Sequence, residues 1–143
     1  MKSAFLAIAV PALLAAAAAP ALAHDDAYLA TQPAPNGGQV RMAGPHHFEL
    51  VTGAAGGTNG RDFVVHVTDH AGAPVATQGA RGVAQVLAGK ARSSVPLAPD
   101  GANRMKGTAG HAVAPDMKVV VSITLPGQPA AQARFAPGQH AHR

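Results

Sequence analysis

The chain contains no cysteine and no tryptophan, and aromatic side chains make up only 3% of its 143 residues. The absence of cysteine excludes disulfides, thiolate metal sites and cysteine nucleophiles. Because aromatics are scarce, alanine, valine and leucine must supply most of the buried surface, and the sequence predicts one lean hydrophobic core. Beyond the initiator Met1, ligation of a metal by sulfur is left to Met42, Met105 and Met117.

Acidic residues are also few, with 7 Asp and Glu against 11 Lys and Arg. The carboxylates are not paired for acid–base chemistry, no H-E-x-x-H motif occurs, and no serine lies in a G-x-S-x-G context. The basic residues are scattered and have no interleaved aromatics, a pattern that argues against nucleic acid as a partner. We therefore expect a protein that is not an enzyme.

Long apolar runs are confined to the first 23 residues. Lys2 precedes an alanine-rich apolar stretch, which ends in the small-residue pattern Ala-Leu-Ala at residues 21–23. This arrangement is typical of a secretory signal peptide with its cleavage site, and no later run is long enough to cross a bilayer. The sequence predicts export to the periplasm, a mature chain that begins at His24, and no stable membrane insertion after cleavage.

The remaining 120 or so residues have the size of one domain. Residues 24–38 predict an extended N-terminal arm, residues 39–136 a β-domain, and residues 137–143 a flexible tail that contains histidine. Within the β-domain, short β-prone runs alternate with Gly and Pro turns. The runs are 39–43, 46–51, 62–69, 81–88, 91–99, 103–109, 117–125 and 131–136. This spacing favours an all-β fold, and we predict an immunoglobulin-like antiparallel β-sandwich of about seven short strands.

Histidine is the residue in marked excess, with 8 in the chain, all of them after the predicted signal peptide. They are His24, His46, His47, His66, His70, His111, His140 and His142. Imidazole nitrogens are good ligands for copper and zinc, so this excess indicates a metal-binding protein. Copper is the favoured ion, and zinc and silver are the alternatives.

Two of the histidines are predicted to face each other across a hairpin. If residues 46–51 and 62–68 pair symmetrically across the loop 52–61, His47 lies opposite His66, with Cβ atoms about 5 Å apart. Glu49 would project from the same outer face and add a carboxylate. The alternative is an exposed polar pair without a ligand, and a register shifted by two residues would keep the faces but change the partners.

Two further histidines are candidate ligands in other settings. Cleavage after residue 23 would give His24 a free amine, which can chelate Cu(II) together with its imidazole. His70 follows Asp69 in a turn, where the simpler interpretation is that Asp69 caps its own backbone. The predicted metal ligands are His24, His47 and His66, with Glu49 and His70 in reserve.

Several segments resemble small exported bacterial proteins associated with heavy-metal efflux. The segments are "PNGGQV", "AGPHHFELV", "VHVTDHAGAPVATQGARG", "VPLAPDGANRMKG" and "MKVVVSITLPGQPAAQARF". They also resemble the β-rich N-terminal periplasmic segment of some adaptor subunits of resistance-nodulation-division metal pumps. The resemblance covers roughly residues 35 to 136. Separately, the predicted mature start at His24 is similar to that of periplasmic copper-carrier β-sandwiches.

The resemblance implies a role linked to metals without assigning ligands. His47 matches a histidine of the "GPYHxELV"-like pattern, where this chain has His46 in place of tyrosine, and His70 falls in the matching "TDHAG" turn. We predict a periplasmic protein that binds copper and buffers or delivers it near a metal-efflux adaptor or pump. The alternative is an interaction module that binds no metal and docks on an envelope or efflux complex.

Overall fold

The structure is a computed structural model that describes residues 25–53 and 61–139. Its elements are one short helix, eight strands and a 3-10 turn. They are α1 (Asp26–Thr31), β1 (Gln39–Ala43), β2 (His46–Thr52), β3 (Asp62–Asp69), β4 (Arg81–Ala88), β5 (Ala91–Pro99), β6 (Arg104–Thr108), β7 (Lys118–Thr124), β8 (Ala131–Phe135) and the turn Pro137–Gln139. Over the described ranges, no helix has the length and apolar character needed to cross a membrane.

The strands form one nearly closed, barrel-like sheet in the order β1-β2-β3-β6-β5-β4-β7-β8, and every pairing is antiparallel. The all-β prediction is therefore confirmed. The immunoglobulin-like sandwich of about seven strands is not confirmed, because eight strands follow one another in a single hydrogen-bonded series. The predicted signal peptide, residues 1–23, lies outside the described residues.

The fewest residues are paired between β5 and β6, where only Ala98 and Pro99 of β5 pair with β6. Over the rest of its length β5 pairs with β4 alone. Pro96 lies in this one-sided part, so its missing N–H removes no rung of a ladder to β6. A proline within a strand is tolerated at such an edge position, which explains how "ARSSVPLAP" forms a strand at all.

The core lies inside the curved sheet and follows the alternation of the sequence. In β7, Val119, Val121 and Ile123 are at most 1% exposed, whereas the alternating Lys118 and Thr124 face solvent. Phe48 and Phe63 are fully buried in the same cluster. Side chains on β7 alternate between core and solvent, because period-2 patterning decides which side chains leave water.

A two-residue turn fixes the start of β2. Ala43 pairs with His46, and the intervening Gly44 has φ +58°. A positive φ at the first turn position suits glycine, and Pro45 supplies the negative φ at the second, as in the type II′ hairpin turn. This short turn aligns β1 with β2 over its whole length and places His47 opposite Met42.

The predicted extended arm is corrected over part of its length. Asp25 caps helix α1, because its carboxylate accepts a hydrogen bond of 2.8 Å from the Tyr28 amide. The helix is tied to the sheet by a 2.7 Å hydrogen bond from the Met42 amide to the Asp26 carboxylate. An N-cap aspartate satisfies amides that a helix start leaves unpaired, so the arm is helical and docked over Asp26–Thr31.

Candidate functional site

The histidines on β2 and β3 are positioned by a register that differs from the predicted one. Glu49 pairs with His66, and His47 pairs with Thr68. The predicted pair of His47 with His66 is wrong by a shift of two residues. Such a shift leaves every side chain on its expected face, so the hydrophobic pattern could not distinguish the two registers.

The outer face of β2 is covered rather than exposed. His47 is 7% exposed and Glu49 4% exposed, although neither belongs to the core. The cover is the N-terminal arm, residues 25–38, whose Leu29 is itself buried. Between arm and sheet lies a cavity of about 370 Å³. It is lined by Leu29, Gln32, Pro33, Pro35, Asn36, Val40, His47, Glu49, His66, Thr68, Gly72, Pro74 and Asn103.

Glu49 fastens the arm to the sheet at one end of this cavity. Its Oε1 accepts hydrogen bonds from the amides of Asn36 at 2.8 Å and Gly38 at 3.0 Å. Its Oε2 accepts a third, of 2.8 Å, from the Asn36 side-chain amide. Gly38 fits there because a Cβ would collide with the Leu50 carbonyl oxygen. The predicted reserve ligand is thus engaged by three donors of the arm.

His47, which lines the cavity, also contacts His70, which does not. Their ring centroids are 4.9 Å apart, and the rings meet edge to face with an interplanar angle of 81°. His70 is exposed, but its turn is ordered by Asp69, which accepts hydrogen bonds from the amides of Ala71 at 2.9 Å and Ala73 at 2.8 Å. Asp69 caps its own backbone, and this cap holds His70 beside His47.

His66 is the middle residue of a row that crosses three strands. Glu49 of β2 lies on one side and Arg104 of β6 on the other. Burial of the imidazole lowers the pKa of His66 below its ordinary value; Glu49 acts to raise it, and Arg104 acts to lower it further. Burial disfavours the charged form of histidine, so His66 is held neutral to a lower pH than a solvated histidine.

This lowered pKa predicts a loss of stability in mild acid. Below about pH 6.5 the unfolded chain protonates His66 before the folded chain does, so the free energy of unfolding falls as pH decreases. The loss continues until pH passes the folded pKa, and its slope cannot exceed about 1.4 kcal/mol per pH unit. We expect His66→Gln to flatten the pH dependence of urea unfolding between pH 7.5 and pH 5.

A matched control for this prediction is His111→Gln, because His111 is exposed in the loop between β6 and β7 and does not belong to the row. The control should unfold with the pH dependence of the unaltered protein. If His66→Gln and the unaltered protein lose stability equally between pH 7.5 and pH 5, then burial of His66 does not govern the acid response.

The structure thus brings some predicted ligands together and separates others. It joins His47 to His70 and Glu49 to His66, and it does not join His47 to His66. His24, like the tail histidines at 140 and 142, lies outside the described residues. Within residues 25–53 and 61–139, no group of three or more His, Asp or Glu side chains is placed to hold a metal ion.

The sequence did not predict the places of several residues at the site. His46 is buried, at 8% exposed, and its Nε2 lies 3.0 Å from Oε1 of Gln128. Leu29, Asn36 and Asn103 line the cavity but were not predicted. A local signal existed only for α1, where an aspartate precedes a short run of helix-compatible residues.

Fold and site together define an all-β domain whose N-terminal helix covers a cavity that contains histidine. Comparison with known proteins finds no matching family model, no matching curated protein and no matching solved structure.

Proposed function

We propose that this protein binds a copper ion through His47 and His70 and buffers or delivers it in the periplasm, in connection with heavy-metal efflux. The observation that carries the proposal is the edge-to-face contact of these two rings at 4.9 Å. Zinc or silver are the alternative ions. The sequence resemblance to efflux-associated proteins supports the same role, and His47 and His70 both fall in the segments that carry it.

The geometry suits joint ligation of one ion. Nitrogen–metal distances for histidine are about 2.0–2.1 Å, so two rings that share an ion must lie within a few ångströms of each other. His47 is held by the β1–β2–β3 ladder, and His70 by the turn that Asp69 caps. Ligands fixed by their scaffold lose little freedom on binding, which favours affinity.

The other predicted ligands take secondary places in this proposal. Glu49 anchors the arm, so its carboxylate would have to release three donors before it could reach an ion. His66 lines the same cavity as His47 but pairs with Glu49. His24 keeps its predicted role as a chelating N-terminus, which requires signal cleavage after residue 23.

The test measures copper retention by the processed, untagged protein in which both tail histidines, at 140 and 142, are replaced by alanine. Native mass spectrometry with Cu(II), Zn(II) and Ag(I) should show one ion retained at the site, most firmly copper, besides the Cu(II) held by the free amine and imidazole of His24. His47→Ala and His70→Ala should each weaken this binding at least about tenfold, since even loss of an outer-shell partner weakens metal binding 10–100-fold.

His111→Ala is the control, because it removes an exposed histidine that belongs neither to the pair of His47 and His70 nor to the lining of the cavity. Copper binding that survives both His47→Ala and His70→Ala unchanged would rule out this site. If none of the three ions binds more tightly than millimolar, then the metal role as a whole is wrong. An interaction module on an envelope complex would then be the better hypothesis.

A further inference from the structure

The cavity under the N-terminal arm adjoins the proposed copper ligands and is too large to serve the ion alone. His47 belongs both to the ring pair and to the lining of this cavity of about 370 Å³. Cavities of about 300–1,000 Å³ are the usual size for small organic ligands. A ligand that binds there can therefore touch the same histidine that holds the metal.

The coordination chemistry of copper leaves room for such a ligand. Cu(II) prefers a tetragonal arrangement of nitrogen and oxygen donors. Two imidazoles fill two of the four equatorial positions, and one bidentate molecule with a nitrogen and an oxygen donor fills the other two. If the donor nitrogens of the two imidazoles take neighbouring positions, the remaining pair is also adjacent and suits a chelate.

The cavity wall specifies the rest of the molecule. One part of the wall is apolar and consists of Leu29, Val40 and three prolines, at 33, 35 and 74. Among its described lining residues there is no lysine or arginine. A carboxylate therefore finds no cationic side chain in the lining, and the metal ion itself must neutralise it. An apolar side chain, by contrast, gains from leaving water against Leu29 and the prolines.

We infer that the site takes up copper as a mixed complex with one α-amino acid that has a compact apolar side chain. The amine and carboxylate complete the coordination of the ion, and the side chain occupies the apolar part of the cavity. The inference rests on the proposed copper site and names the form in which that site accepts its ion. His47 and His70 provide the protein's two donors.

The experiment titrates the copper-loaded, processed protein with L-leucine and with glycine, and follows uptake by native mass spectrometry and calorimetry. We expect one amino acid per copper ion retained at His47 and His70. Leucine should bind about 10- to 100-fold more tightly than glycine, since this is the range for burying a leucine side chain. Without copper, neither amino acid should bind at comparable concentrations.

A matched pair of variants tests the cavity itself. Leu29→Ala should reduce the preference for leucine over glycine at least about threefold while copper retention stays unchanged, because Leu29 lines the cavity but supplies no donor. Leu87→Ala is the control, since Leu87 is a partly buried leucine on β4 outside the cavity lining. It should leave the preference unaltered. Circular dichroism confirms that both variants keep the β-fold.

Different outcomes would contradict the proposed copper binding and the uptake of an amino acid. Failure to retain copper overturns the proposed function, and the inference with it. Retention of copper without uptake of any amino acid overturns the inference alone. Equal affinity for leucine and glycine would show that the side chain of the amino acid does not bind in the cavity. A preference for leucine that Leu29→Ala leaves intact would show the same.

Discussion

Replacing Glu49 by glutamine should detach the N-terminal arm from the sheet before the rest of the fold unfolds. The Glu49 carboxylate is 4% exposed and accepts three hydrogen bonds from residues 36 and 38. A glutamine amide offers only one acceptor oxygen, so at least one of these donors would face an NH₂ group. The two other bonds would lose the assistance of the charge.

The expected loss is about 3 kcal/mol in the free energy that holds the arm. A hydrogen bond to a charged group contributes about 1.5–3 kcal/mol and a neutral one about 0.5–1.5, while a donor left unsatisfied costs about 1–3. The arm has few other contacts of this strength; the hydrogen bond from Met42 to Asp26 is exposed. Loss of the Glu49 charge therefore removes the principal attachment.

Tyr28 makes this loss measurable, because it is the only tyrosine in a chain without tryptophan and it lies on α1. In urea, the Tyr28 fluorescence and the far-ultraviolet circular dichroism of the unaltered protein should change together. In Glu49→Gln the fluorescence change should come at lower urea than the loss of β-structure. Amide hydrogen exchange at positions 36 and 38 should accelerate in parallel.

Asp116→Asn is the matched control, since it neutralises an exposed carboxylate in the segment between β6 and β7, which belongs neither to the arm nor to β2. Its fluorescence and dichroism should remain coincident. Coincident transitions in Glu49→Gln at the unaltered midpoint would show that the arm is held by its apolar contacts rather than by Glu49. The cavity would then be covered independently of this carboxylate.

The features that could be predicted from the sequence are those that local patterning determines. Alternation in β7 identifies the buried face because each side chain there either meets the core or meets water. The turn at Gly44 and Pro45 likewise follows from two adjacent residues. All eight runs predicted as strands are strands in the structure, with bounds that agree to within one residue at either end.

The features that could not be predicted depend on residues far apart in the chain. The register of β2 against β3 is ambiguous by two residues on hydrophobicity alone, so the pair of Glu49 with His66 could not be chosen. The contact of His47 with His70 follows from that register and from the turn after β3. The docked arm depends on Glu49, which has no local relation to Asn36.

The exclusion of water from the outer face of β2 has the same origin. The alternation of "HHFELV" assigns His47 and Glu49 to the side away from the core, and the structure agrees. The pattern cannot say that a second layer lies on that side. Burial of these polar groups depends on the arm, so their chemistry is set by residues 25–38 rather than by the strand that carries them.

The second large expected effect concerns the seam between β1 and β8, across which one side chain makes two hydrogen bonds. Gln39 of β1 donates a hydrogen bond of 3.1 Å to the Ala136 carbonyl and accepts one of 3.0 Å from the Ala136 amide. Gln39 is 5% exposed, and the two residues are 97 positions apart. The side-chain amide thus acts as a substitute for a backbone pairing between the first and last strands.

Gln39→Leu should destabilise the protein by about 2–4 kcal/mol in urea unfolding. Leucine has a similar volume but makes neither bond, so a carbonyl and an amide at the seam lose their partners at about 1–3 kcal/mol each, offset in part by added apolar burial. Hydrogen exchange at the Ala136 amide should accelerate. Gln132→Leu, at an exposed position on β8, is the control and should change neither quantity appreciably.

Separation of β1 from β8 at the seam should also promote association between copies of the chain. With β1 and β8 apart, both strands present unpaired backbone groups, and such edges pair readily with other chains. We therefore expect Gln39→Leu, but not Gln132→Leu, to show dimers or larger species in sedimentation at rising concentration. A monomeric Gln39→Leu protein with an unchanged unfolding midpoint and slow exchange at Ala136 would mean that core packing alone closes the sheet.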